Sequence, residues 1–310
     1  MTTMHLAVVV VCVLGVSALP EKQEHGAHKP VPEHEHYPNG RHDSGYDHDA
    51  ILGSHKAEQE FSNLSPEESK TRLRNLLLKM DQNEDGIISR SELEVWILHS
   101  FRQLDVEEGE ARFLEYDMDT NGKLGWQEYV EKVYGMSEAE IDEMERNEET
   151  EAFLDMKNDD KLKFDAADVN KDGYLESQEF VAFEYPYDFE HMYEVEMDRS
   201  MKELDKNKDD LISQSEFTGD LEMTEEDKIS QAENFKVYDT NKDGLLDRKE
   251  ALPWVLPDNK YAAKEEAEHL IGETDSNQDG VLSPDEIIDQ YELWVGSQVT
   301  NYGKHLNDEL

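Results

Sequence analysis

At 310 residues the chain has room for one large domain or two to three small ones. Its 75 Asp and Glu against 30 Lys and Arg leave a formal net charge of −45. That charge repels nucleic acid phosphates and anionic membrane surfaces, so no nucleic acid binding and no stable membrane insertion are expected, whereas multivalent cations or basic partners are.

Residues 1–18 read as a secretory signal peptide. An apolar run from Leu6 to Val16 is followed by small residues, with Val16 and Ala18 at the minus-three and minus-one places of a cleavage site. The run falls short of the roughly 20 apolar residues that span a bilayer. The one cysteine, Cys12, lies inside it, so cleavage leaves a chain without thiols or disulfides in an oxidising compartment.

Residues 19–64 are rich in His, Pro, Gly and acids, with His25, His28, His34, His36, His42, His48 and His55. They show neither a helical nor a strand period and read as a disordered leader. Clustered imidazoles are the ligands of zinc and copper and gain charge in acid, but these spacings match no fixed tetrahedral pattern, which favours a plain linker. Order is expected to begin at Ser65, where Pro66 and Glu68 complete a capping box with proline at the first helical position. Leu73, Leu76, Leu77 and Met80 then form one apolar helical stripe. Asn63-Leu64-Ser65 is a glycosylation sequon, but Pro66 behind it and the capping role of Ser65 argue against modification.

Six related segments follow, at 81–92, 117–128, 168–179, 205–216, 239–250 and 275–286. Each has the pattern of an EF-hand loop, in which calcium draws six to eight hard oxygens at about 2.3–2.6 Å from positions 1, 3, 5, 7 and 12, often with a water at 9. Position 1 is Asp81, Asp117, Asp168, Asp205, Asp239 and Asp275. Position 3 is Asn83, Asp119, Asn170, Asn207, Asn241 and Asn277, and position 5 is Asp85, Asn121, Asp172, Asp209, Asp243 and Asp279. Position 7 offers only a carbonyl, so Ile87, Lys123, Tyr174, Leu211, Leu245 and Val281 are free to differ. Position 12 is Glu92, Glu128, Glu179, Glu216, Glu250 and Glu286, whose two carboxylate oxygens couple the ion to the outgoing helix.

Position 6 needs a sharp turn and is glycine in five loops, but Asp210 in the fourth, at a cost on the order of 1 kcal/mol. Loop four is therefore expected to bind more weakly. Gly125 at position 9 leaves loop two dependent on water, whereas Glu176 and Asp247 add a carboxylate to loops three and five. Position 8 is always aliphatic and suits a short β-ribbon joining two loops back to back.

The loop starts are 36, 51, 37, 34 and 36 residues apart. The wide gap predicts an all-α protein of three EF-hand pairs, one with two (65–136), three with four (137–222) and five with six (223–303), although four with five has a similar spacing. Pro186 and Pro253 are expected to end the outgoing helices of loops three and five early. Trp96, Phe113, Phe164, Met201, Phe235, Leu270, Ile271 and Trp294 are expected in pair cores rather than in a ligand pocket.

Beyond the loops, FDAADVNKDG (164–173), EYPYDFEHM (184–192), WVLPDNKYAAKEEAEHLIGETD (254–275) and IIDQYELWVGSQVTNYG (287–303) make the chain resemble the six-EF-hand reticulocalbin and calumenin family of the secretory pathway. The resemblance implies a soluble lumenal protein that binds Ca²⁺ weakly and contacts client or regulatory proteins; a monomer holding up to six Ca²⁺ is expected. The tail 304–310 ends Asn307-Asp308-Glu309-Leu310, similar to the KDEL address read by the retrieval receptor, though with Asn for Lys. The expected function is low-affinity calcium buffering and calcium-dependent client binding in the endoplasmic reticulum lumen. The alternative is a chaperone or cargo adaptor with incidental buffering. No nucleophile motif, P-loop or HExxH motif suggests an enzyme.

Overall fold

The computed structural model describes residue 36 and residues 42–144, 146–219, 225–257 and 259–296. The expected signal segment, most of the leader before residue 42 and the 304–310 tail lie outside the described residues.

Two helices precede the first hand, α1 (Ser44–Leu52) and α2 (His55–Ser62). Loop one lies between α3 (Pro66–Met80) and α4 (Arg90–Tyr116), and loop two between α4 and α5 (Trp126–Tyr134). The short α6 (Glu138–Asp142) leads to α7 (Glu148–Ala167), loop three and α8 (Ser177–Glu184). Two 3₁₀ turns, Pro186–Asp188 and Glu190–Met192, lead to α9 (Tyr193–Leu204), loop four and α10 (Gln214–Thr218). Then come α11 (Glu225–Tyr238), loop five, α12 (Arg248–Val255), α13 (Lys260–Thr274), loop six, α14 (Pro284–Asp289) and α15 (Tyr291–Val295). The capping box expected at Ser65 is formed, with the Ser65 hydroxyl accepting from the Glu68 N–H and the Glu68 carboxylate from the Ser65 N–H.

The all-α architecture of three loop pairs is as expected, but none of the pairs one/two, three/four and five/six forms; of the expected pairings only the alternative, four with five, is present. Strand β1 (Leu124–Gly125) of loop two pairs antiparallel with β2 (Tyr174–Leu175) of loop three, Leu124 opposite Leu175. Strand β3 (Ile212–Ser213) of loop four pairs with β4 (Leu245–Leu246) of loop five. Loop one pairs with loop six through Ile88 and Leu282, whose N–H groups donate to each other's carbonyls at 2.8 and 2.9 Å. The expected pairing of one with two fails because α4 is a single 27-residue helix. At 1.5 Å per residue it holds the two loops about 40 Å apart. Between loops two and three, by contrast, α5 stops at Gly135 in the left-handed region (φ 66°), and the chain can reverse.

Each pair has its own core. Pair one/six buries Leu73, Leu77, Ile97, Phe101, Leu270 and Trp294, pair two/three Phe113, Phe164, Phe180 and Phe183, and pair four/five Met201, Phe217, Phe235 and Leu246. The aromatic residues expected inside are there, Trp96 only partly buried. Because α4 contributes Leu93, Ile97 and Phe101 to one core and Phe113 to the next, it joins two pairs rigidly. Gly109 lets α8 lie close against it; a Cβ there would meet Val181 Cγ2 at 2.8 Å.

The leader is not disordered throughout. Asp43 and Ser54 cap α1 and α2, and Gly53 turns between them at φ 61°. Tyr46, Ala50 and Ile51 are buried in the pair one/six core, and Trp96 Nε1 donates to the Ile51 carbonyl at 2.8 Å. Tertiary packing holds a helix too short to stand alone, and local periodicity therefore gave no sign of it. Pro186 does follow the end of α8, whereas Pro253 sits inside α12, which continues to Val255.

Among the buried acids, Asp105 on α4 accepts a 2.7 Å hydrogen bond from the Tyr187 hydroxyl. Burial pushes its carboxyl up to about 7 despite that bond. An acid with a raised folded pKa resists ionisation that the unfolded chain accepts freely, so it lowers stability as pH rises from about 4 to about 7. In excess calcium, Asp105→Asn should gain on the parent by about 1 kcal/mol per pH unit across that window, read from denaturant midpoints. Parallel stability curves would contradict this assignment.

Candidate metal centre

Each loop opens where its incoming helix ends, and a ladder of backbone bonds folds it around the position 1 and 3 side chains. In all six, the position 1 Asp accepts from the N–H of position 6 through Oδ2 at 2.7–3.0 Å. The position 3 side chain accepts from the N–H of position 5 through Oδ1 at 2.8–3.0 Å. The side chain at position 5 accepts in turn from the N–H of position 7. These asparagine and aspartate turns hold the short oxygen-bearing side chains on the inner side of the loop.

Glycine at position 6 has φ of 82–86° in five loops, and Asp210 adopts φ 64° in the fourth. Its N–H still donates to Asp205 Oδ2, at 2.7 Å, so the loop closes as the others do. Its side chain reaches Arg248 of loop five at 3.0 Å, an exposed pair that joins the two loops across their ribbon. Position 4 is also left-handed in every loop, at Glu84, Thr120, Lys171, Lys208, Lys242 and Gln278 (φ 57–63°). None of these is glycine, and Glu, Thr, Lys and Gln have no special preference for that conformation, so the sequence carries no signal of that turn.

The position 12 glutamate is the third residue of each outgoing helix. Its Oε2 accepts from the N–H of position 9 at 2.9–3.2 Å, the reciprocal half of a capping box. In five loops Oε1 reaches across to N–H groups at the loop start, as Glu92 does to Gln82 (3.0 Å) and Asn83 (3.3 Å). These bonds hold several of the carboxyls below their ordinary range. Backbone and hydroxyl bonds from Ser283 bring Glu286 down to about 2. For Glu216 the Ser213 hydroxyl dominates, and for Glu250 the Asn241 N–H. Partial burial opposes the shift at Glu92 but is outweighed by bonds from Ser89, Asn83 and Gln82.

Loop two differs. Glu128 Oε1 is buried without a hydrogen-bond partner, and oxygens of Asp117, Asp119 and Glu128 lie within 4.8 Å of one another. Among the described residues, no other calcium loop gathers three acidic groups so closely. A buried carboxylate oxygen left unbonded beside two further carboxylates fits a hard divalent cation. Loop two, expected to depend on water at position 9, thus gathers three carboxylates of its own.

The extra carboxylates expected at position 9 have other work. Asp247 Oδ1 caps α12, accepting from Lys249 and Glu250 N–H at 2.9 and 3.0 Å, and Glu176 Oε1 lies 3.6 Å from Lys123 Nζ. Lys123, at position 7 of loop two, also donates at 2.5 Å to Asp172, the position 5 residue of loop three. That contact raises the Lys123 amine and lowers the Asp172 carboxyl. Calcium entering loop three would have to displace this lysine.

A family model described as EF hand matches residues 73–98, 163–183 and 233–250, which contain loops one, three and five. The chain is 37% identical over 278 residues to reticulocalbin-2 of Crotalus adamanteus, covering 87% of this chain and 91% of that one. It is 36% identical over 283 residues to reticulocalbin-2 of Mus musculus (88% of each). It is 37% identical over 277 residues to reticulocalbin-3 of Mus musculus, covering 86% of this chain and 84% of that one.

Two outcomes test the loop chemistry. By calorimetric titration, Glu128→Gln should lower the calcium stoichiometry by one ion, and an unchanged stoichiometry would remove Glu128 from the ligand set. In an Arg248→Gln background, where the cross-loop pair is absent, Asp210→Gly should raise the affinity of loop four by roughly two- to fivefold through relief of the left-handed strain. No gain would show that the strain does not limit binding.

Proposed function

The chain belongs to the reticulocalbin family of EF-hand calcium-binding proteins, which are not enzymes, and from that premise we propose that it is a low-affinity calcium buffer of the endoplasmic reticulum lumen that binds client or regulatory proteins in its calcium-loaded form. The observation that carries this reading is the position 12 glutamate, tied at once to the start of its loop and to the first turn of the outgoing helix. An ion that draws Oε1 away from the loop-start N–H groups acts directly on the helix that follows. Replacing those bonds costs part of the binding energy, which fits the weak end of the EF-hand range, about 10⁻⁴–10⁻³ M, suited to a calcium-rich lumen.

Charge supports the same reading. At −45 the chain repels itself, and calcium in all six loops would cancel twelve of those charges. Placement in the lumen rests on the signal segment and the Asn307–Leu310 ending, which a KDEL-type retrieval receptor would read. No helix among the described residues is long and apolar enough to cross a membrane.

Calcium titration to several millimolar should raise helical circular dichroism and shrink the hydrodynamic radius together. An unchanged radius and spectrum while calcium binds would contradict a calcium-driven change of shape.

A further inference from the structure

The described part of the leader meets α13 in a cluster outside every calcium loop. At its centre is Asp47 of α1, fully buried. His36 Nε2 lies 3.1 Å from Asp47 Oδ1, His42 Nε2 3.0 Å from Oδ2, and His269 Nε2 of α13 3.9 Å from Oδ1. The three imidazole rings form a triangle with centroid separations of 5.0, 4.7 and 4.9 Å. One ligand atom from each of the four residues lies within 4.8 Å of the other three.

We propose that His36, His42, Asp47 and His269 form a binding site for one zinc ion. Three imidazoles and a single carboxylate are the donor set of a borderline transition ion, in contrast to the all-oxygen calcium loops. The surroundings match what such ligands need. His36 presents its second nitrogen, Nδ1, to the buried Glu266 carboxylate at 3.3 Å, the outer contact that orients a metal-bound imidazole. Tyr46 stacks flat against the same ring, 4.7 Å away and 7° from parallel. Two carboxylates, Asp47 and Glu266, are buried side by side where a divalent cation would offset their charge.

The placement gives the ion a structural consequence. His36 and His42 come from the leader, whereas His269 stands six residues before Asp275, the first ligand position of loop six. Zinc would pin the leader to the incoming helix of that loop and so reinforce pair one/six. The four ligands are scattered over more than 230 positions of the chain. No local spacing pattern reveals them, and the fold alone brings His269 to the leader.

The test is zinc titration by calorimetry of the chain from Leu19 to Leu310, with its calcium loops filled by millimolar calcium. One zinc ion per chain is expected. His42→Ala, which alters an exposed ring, and His269→Ala should each weaken it by about tenfold or more. His191→Ala, outside the cluster, should bind as the parent does. Circular dichroism of each variant checks that the fold survives, so that the exposed His42 carries the decision if His269→Ala unfolds. Absence of zinc uptake, or equal affinity in the parent and His42→Ala, would overturn the site and place any bound zinc in the calcium loops or on the remaining leader histidines.

Discussion

The rest of the structure depends on one carboxylate used six times. The glutamate that ends each loop is also the third residue of a helix, so one oxygen closes a capping box and the other faces the loop. Five of the six fill that second oxygen with N–H groups from the loop start. An intramolecular hydrogen bond to a charged group contributes roughly 1.5–3 kcal/mol net, enough to hold the loop in shape and little enough to yield to a divalent ion. Loop folding, helix start and ion uptake thus share a single side chain.

Pairing of the loops turns these local devices into an architecture. The aliphatic residue at position 8 supplies the ribbon, and the length and breaks of the helices decide which loop it meets. The continuous α4 keeps loops one and two apart, and the chain closes its ends by joining loop one to loop six. Two short helices from the leader then pack over that closure, with His48 Nε2 3.0 Å from the Glu292 carbonyl of α15, the last described helix. Cross-loop pairs such as Lys123 with Asp172 and Arg248 with Asp210 extend the coupling from backbone to charge.

Much of this was legible in the residues. Asp at position 1, Glu at position 12 and glycine at position 6 state the loop chemistry locally, and Ser65 with Glu68 states a helix start. What escaped depends on distance along the chain. The spacing between loops is a length, and length does not say whether the connecting segment is one stiff helix or a broken one. Tyr46, Ala50 and Ile51 gain their burial from α4 and α15, so their helix had no local signature. Gly125 looked like a missing ligand, yet its loop is the one whose position 12 glutamate, Glu128, keeps a buried oxygen without a hydrogen-bond partner. For the loop partners and the leader helix, the deciding contacts are made by residues far apart in sequence.

On the proposed function, calcium exchanges for the hydrogen bonds of the position 12 glutamates. The most direct measurement is carboxyl ¹³C NMR of glutamate-labelled protein during calcium titration. The expected result is that Glu92, Glu128, Glu179, Glu216, Glu250 and Glu286 shift in step with ion uptake, with Glu128 starting from an environment unlike the other five. Calcium uptake that leaves these six resonances unmoved would contradict the claim.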